Sequence, residues 1–186
     1  MKNKLKKLIG TLPPSESGFR KRNRFHQGWW RAFVLAETEG DYPQKKGSGI
    51  CNTILEGKNS RKNFLSPQIV EAVAQTIAER QSTRSGIIEE DRLFNNLLSS
   101  QPLCFNFFGE LKTDTGFALQ VLNQFWPELT AVKQVIFEFA PAKNYTHDNS
   151  AFDVAFEVEI DHKNGLKFVL RNFHSRCRPV RAVGLP

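Results

Sequence analysis

Between Phe152 and Ile160 the sequence alternates strictly between two kinds of side chain. Phe152, Val154, Phe156, Val158 and Ile160 fall on one side of an extended chain, and Asp153, Ala155, Glu157 and Glu159 fall on the other. A helix would scatter the apolar set around its circumference, so the pattern predicts a strand with one core-facing side. The preceding run KQVIFEFA (133–140) crowds β-branched and aromatic residues ahead of Pro141, as a buried strand does. Asn164-Gly165 is a hairpin signal, and LKFVL (166–170) is its returning strand. Strands are therefore expected near 132–139, 150–161 and 166–171, forming a three-stranded β-meander.

Upstream of Val132 the patterns are helical. Residues 19–35, FRKRNRFHQGWWRAFVL, place Phe25, Trp29, Trp30 and Phe33 at helical spacing beside Arg20, Arg22, Arg24 and Arg31. Aromatics interleaved with arginines suit stacking and phosphate contacts with nucleic acid. The alternative is a helix whose Trp and Phe pack inward while arginine stems cover the edges. Residues 38–66 carry scattered glycines and read as loop. Ser66-Pro67 opens a helix to about Gln81, with Ser as N-cap and Pro at the first helical position. A third helix from about Glu89 puts Leu93, Phe94, Leu97 and Leu98 on one face, and another restarts beyond Pro102. The last, Thr115 to Trp126, would bury Phe117, Leu119, Val121, Leu122 and Phe125 before Pro127. The fold class expected is α+β, with N-terminal helices followed by the strands. Residues 1–18 read as a basic flexible tail, 19–171 as one domain and 172–186 as a basic irregular tail.

The charge is unevenly spread. Of 26 basic residues, nine lie in residues 1–31 against the single acid Glu16, and six lie in 162–186 against none. The intervening residues 32–161 hold eleven basic and eighteen acidic residues. Basic ends on an acidic body point to a polyanion partner or to solubilising tails. No apolar run is long enough to span a bilayer, and the basic opening MKNKLKKLIG lacks a signal-peptide core. Cys51, Cys104 and Cys177 are odd in number and widely spaced, which favours a reducing cytoplasm over a disulfide framework.

Among candidate chemistries, Asp153 stands out. It projects from the strand face opposite the apolar stripe, with small Ala155 beside it, leaving room for a hydrated divalent ion. Glu157 shares that face but lies ~13 Å along the strand, so a second ligand has to come from the neighbouring strand, where Glu138 sits between Phe137 and Phe139. An exposed polar sheet face would give the same pattern. The four histidines lack zinc spacings, EGKNS (56–60) fails as a phosphate loop, and no nucleophile elbow or dinucleotide loop occurs. His147-Asp148 reads as a pair of solvated turn residues more than as a proton-transfer pair.

DRLFNNLLSSQPLCFNFFGEL (91–111), VIFEFAP (135–141) and SAFDVAFE (150–157), in this order, resemble a bacterial family of restriction endonuclease-like proteins within the PD-(D/E)xK nuclease superfamily. KNFLSPQIV (62–70) and, more loosely, RFHQGWWR (24–31) extend the resemblance over most of residues 20–168. It implies a core of helix, three strands, helix and strand that hydrolyses DNA phosphodiesters with Mg²⁺. Asp153 would match the motif Asp as catalytic and metal-binding residue; Glu138 joins it on strand geometry. The superfamily's third strand carries Glu/Asp-x-Lys. Here KFVLRNFHSRCRPVRAVGLP (167–186) follows, with no acid after Asp161 and no Lys after Lys167. The resemblance therefore implies an incomplete core, and two explanations remain. The chain is a truncated or frameshifted remnant with little or no activity, which the abrupt change of composition favours, or a non-catalytic DNA-binding module using its basic termini.

Overall fold

Among the described residues, two antiparallel sheets, one of two strands and one of three, organise a mixed α+β chain. The computed structural model describes residues 7–13, 16–42, 45–83, 88–139, 152–160 and 163–170. Met1–Asn63 with Glu89–Leu103 form one compact unit, and Phe64–Ile88 with Cys104–Pro186 another. His147-Asp148 and the tail 172–186 lie outside the described residues. No helix among the described residues is long and apolar enough to cross a membrane.

In the first unit, helix α1 (Gly18–Trp29) runs into a π-helical turn, Trp30–Val34. Strands β1 (Glu39–Tyr42) and β2 (Lys45–Ile54) follow as an antiparallel pair, then the short helix α2 (Gly57–Ser60) and, after the excursion into the second unit, α4 (Glu90–Asn95). The β1–β2 pair corrects the loop expected over 38–66. Ile50, Cys51, Asn52, Thr53 and Ile54 are all buried in succession, so β2 is covered on both faces and shows no alternation. Its glycines are what made it read as loop; Gly49 lies against the Glu39 carboxylate, where a Cβ would come within 2.8 Å. EGKNS contributes α2, where Gly57 backs onto the Phe94 carbonyl too closely for any side chain.

In the second unit, α3 (Pro67–Thr83), α5 (Ser100–Thr113, from Cys104 onward) and α6 (Thr115–Leu122) accompany β3 (Leu129–Phe139), β4 (Phe152–Ile160) and β5 (Lys163–Leu170). The Ser66 hydroxyl caps α3 by accepting from the Ile69 amide at 3.3 Å. Gly109 lets α5 lie against Ile69 of α3, since a Cβ there would already stand 3.2 Å from Ile69 Cα. Phe105 stacks on Phe137 of β3 with centroids 4.0 Å apart, and Phe108 meets Phe156 of β4 edge-on at 5.9 Å. These contacts place α5 on the sheet face bearing Phe137, Val154 and Phe156.

Three further expectations are corrected. Helix α6 has only eight residues, capped by the Asp114 carboxylate at 2.8 Å from the Phe117 amide. Two turns bury Ala118 and Leu122 but leave Phe117 and Phe125 exposed. Ile160 pairs with Lys163, so Asn164 and Gly165 stand inside β5 opposite Glu159 and Val158 and are not the turn. Finally, the polar face of β4 is not open: Asp153 is 9% exposed and Ala155 fully buried, alongside Val154 and Phe156. Alternation reveals the pleat of a strand, not whether its second face is covered.

Candidate functional site

The pairs Phe137↔Val154 and Phe139↔Phe152 bracket Glu138 and Asp153, so the two carboxylate residues fall opposite one another on adjacent strands. Asp153 is buried and Glu138 half-buried. Glu138 also adopts φ +50°, a left-handed conformation that a glutamate inside a strand takes only when its surroundings hold it there. Such a residue costs on the order of 1–3 kcal/mol.

Arg80, in the last turns of α3, supplies part of that hold. Its Nη2 donates to the Phe137 carbonyl and, at 2.9 Å, to the Glu138 carbonyl, gripping the backbone on both sides of the kink. Burial pulls the Arg80 guanidinium below its ordinary pKa, and the Glu138 and Glu79 carboxylates push it back up. Cys104 of α5 reaches the same corner, its Sγ 3.5 Å from the Asp153 carbonyl oxygen. Burial first, then the negative fields of Asp153 and Glu138, raise that thiol well above its ordinary range. Two residues along β3 from Phe137, the buried Lys112 Nζ lies 3.2 Å from the Val135 carbonyl and 2.9 and 3.0 Å from the Glu79 carboxylate oxygens.

Sequence reasoning missed Arg80, Cys104 and Lys112. An arginine and a lysine in the last turn of a helix are ordinary there, so only the three-dimensional arrangement singles them out. Cys104 lies within the distinctive SSQPLCFNFFG string, and that position was the one available signal.

The basic helix α1 is built the other way round from the packing alternative: Phe25, Trp29 and Phe33 are exposed, while Arg24 and Arg31 turn inward. Arg31 is 2% exposed and donates to the carbonyls of Cys51 at 2.9 Å, Leu8 at 3.0 Å, Ile9 at 3.1 Å and Glu37. It joins segments of the first unit and has no face left for a phosphate, which corrects its assignment to nucleic-acid binding. Arg24 is mostly occupied too, pairing with Glu16 and donating to Asn52 Oδ1 at 2.5 Å. Hydrogen bonding to Arg24 holds the Glu16 carboxyl below its usual range. Arg20 and Arg22 are exposed.

The donor set on β3 and β4 suits one kind of ion. Two carboxylates on adjacent strands offer hard oxygen ligands, and Mg²⁺ commonly takes one or two such groups and keeps the rest of its waters. Among the described residues no cluster of three or more His, Cys, Asp or Glu could hold a metal, so the fit extends to a largely hydrated ion and no further. Among known protein families, the model of the PD-(D/E)XK nuclease superfamily aligns with residues 14–169. Neither curated proteins nor solved structures give a match. The matched span includes both strands of the carboxylate pair and α1, α3 and α5 entire, and the chain belongs to the PD-(D/E)XK nuclease superfamily.

Proposed function

We propose that this protein is a restriction-type, Mg²⁺-dependent DNA endonuclease in design, with Asp153 and Glu138 as the metal-holding carboxylates, and that it cleaves weakly or not at all. The observation carrying this reading is the burial of Asp153 opposite Glu138 in a chain of a nuclease superfamily, whose members typically use divalent metal ions. Bound there, a divalent ion would polarise a phosphodiester and ease deprotonation of a water. The protein's own contribution is positional. Asp153 is fixed by β4, Glu138 is held at its kink by Arg80, and the neutral Cys104 thiol adds no competing charge. Weak activity follows from the composition of residues 162–186, which hold no acid and, between Phe168 and Pro186, no lysine. The third-strand carboxylate and lysine that would complete ligation and activate water have no counterpart there. The same absence favours the second reading, a DNA-binding module that does not cut.

Plasmid cleavage with Mg²⁺, set beside mobility-shift binding, separates the two. Slow nicking that Asp153→Ala abolishes while binding persists supports the nuclease. Binding with no metal-dependent nicking supports the module, and failure to bind DNA at all removes both.

A further inference from the structure

Helix α1 is inside out. The inward face of α1 and of the π-helical turn that continues it carries Arg24, Gly28 and Arg31, whereas Phe19, Arg22, His26, Trp29 and Phe33 recur every three or four residues along the opposite side. The apolar members of that stripe are in solvent: Phe19 is 69% exposed, Trp29 41% and Phe33 44%. An amphipathic helix that buried its aromatics would remove them from water at a gain of about 1.5–3 kcal/mol each. Here that gain is forgone, and Arg31 is buried and Arg24 half-buried instead. His26, Trp29 and Phe33 form a continuous row, with centroids 6.3 and 6.1 Å apart and mutual tilts of 35° and 34°. Beside the row, Lys21, Arg22, Leu12, Gly18 and Phe25 line an open groove of about 600 Å³.

We propose that this stripe binds single-stranded nucleic acid, with unpaired bases stacking on Trp29 and Phe33 while Lys21 and Arg22, which line the groove, meet the phosphates. The ligand class follows from the combination. Aromatic rings at solvent level offer sequence-tolerant stacking, and each base contributes a face whatever its identity. Lys21 and Arg22 at the groove are exposed, and α1 itself contains no acid. A second copy of the chain is the less fitting occupant, because two such stripes would bring like charges together. The inference rests on the reading of the protein as DNA-directed and adds the form of DNA it engages: frayed, looped or single-stranded segments.

The test uses the full chain without divalent metal, a labelled oligothymidylate and a labelled blunt duplex of equal length. Trp29→Ala and Phe33→Ala should each weaken oligothymidylate binding roughly tenfold and leave duplex binding within about twofold. Trp29→Phe, which keeps a ring, should retain most of the affinity. Circular dichroism checks folding, and Phe33→Ala decides the matter should Trp29→Ala unfold. Equal loss on both probes, or loss on neither, overturns the proposal. So does a wild-type dimer that Trp29→Ala dissolves, which would make the stripe a self-association surface. If wild-type protein ignores oligothymidylate but binds duplex, this inference falls while the DNA-directed reading stands.

Discussion

At the scale of single residues, the buried Arg31 guanidinium and the buried Cys51 thiol of the first unit each make stability measurable. Arg31 ties the carbonyls of Leu8, Ile9, Glu37 and Cys51 to α1 through one planar fork. Burial lowers its pKa, with Glu39 the first of the neighbours opposing that, yet the group remains charged. Arg31→Met fits sterically but orphans several buried carbonyls, so a loss of about 3 kcal/mol in urea denaturation is expected. Arg31→Lys should recover little, because an ammonium cannot span four carbonyls in one plane. A loss below about 1 kcal/mol would contradict the bracket. Cys51 makes a pH prediction. Burial raises its thiol from 9.0 to about 11, so the unfolded chain ionises first. Its contribution is therefore complete below pH 9 and lost as the pH climbs towards 11. Stability should fall across that window by on the order of 2 kcal/mol more in the wild type than in Cys51→Ala. Parallel curves for the two proteins would refute the assignment.

Among the elements, local stereochemistry was a good guide where a single residue type dictates a terminus. Ser66-Pro67 marked α3 because proline lacks only an amide that the first turn leaves unbonded and the Ser hydroxyl satisfies another. The strand at 152–160 was legible from its period. Strand β2 was not, since burial on both faces erases alternation, and Asn164-Gly165 misled because pairing of Ile160 with Lys163 leaves both inside β5. The inverted helix α1 was equally hidden: periodicity finds the stripe but does not say which side faces the core. Gly28 is the element-scale key to that inversion. A Cβ there would stand 2.9 Å from both Cys51 Cβ and the Ile9 carbonyl oxygen, and a backbone atom does not yield cheaply. Gly28→Ala should therefore destabilise by about 1–3 kcal/mol, outweighing a helix-propensity gain of about 1 kcal/mol. Gly18→Ala, on the same helix with nothing within 4 Å of its Cβ, should be neutral or mildly stabilising. Thermal unfolding of the two variants provides the contrast, and equal melting points would mean that α1 does not approach β2 this closely.

For the whole molecule, the two-carboxylate site was legible only in outline. Strand order implied that Glu138 stands near Asp153, but the grip of Arg80 and the nearby Cys104 thiol depend on helices α3 and α5 reaching β3 and β4, which no local pattern encodes. Charge distribution, by contrast, is read directly from the chain and leads to a prediction independent of the site. Residues 162–186 carry six basic residues and no acid, including Arg176, Arg178 and Arg181. If these arginines meet DNA phosphates, each contact releases condensed counterions, and the logarithm of affinity falls with the logarithm of salt by about 0.9 per contact on duplex DNA. Changing all three to Gln in the full chain should lower that slope by about 2.7 and weaken binding similarly on unrelated sequences, because phosphate contacts carry no base information. Arg20→Gln with Arg22→Gln should lower it by up to about 1.8, whereas Arg31→Met, which removes a charge already spent on carbonyls, should leave it unchanged. Titrating a labelled duplex over a salt series gives the three slopes. If removing the Arg176, Arg178 and Arg181 charges leaves the slope intact, the basic C-terminal stretch is a solubilising segment and DNA affinity has to reside elsewhere on the chain.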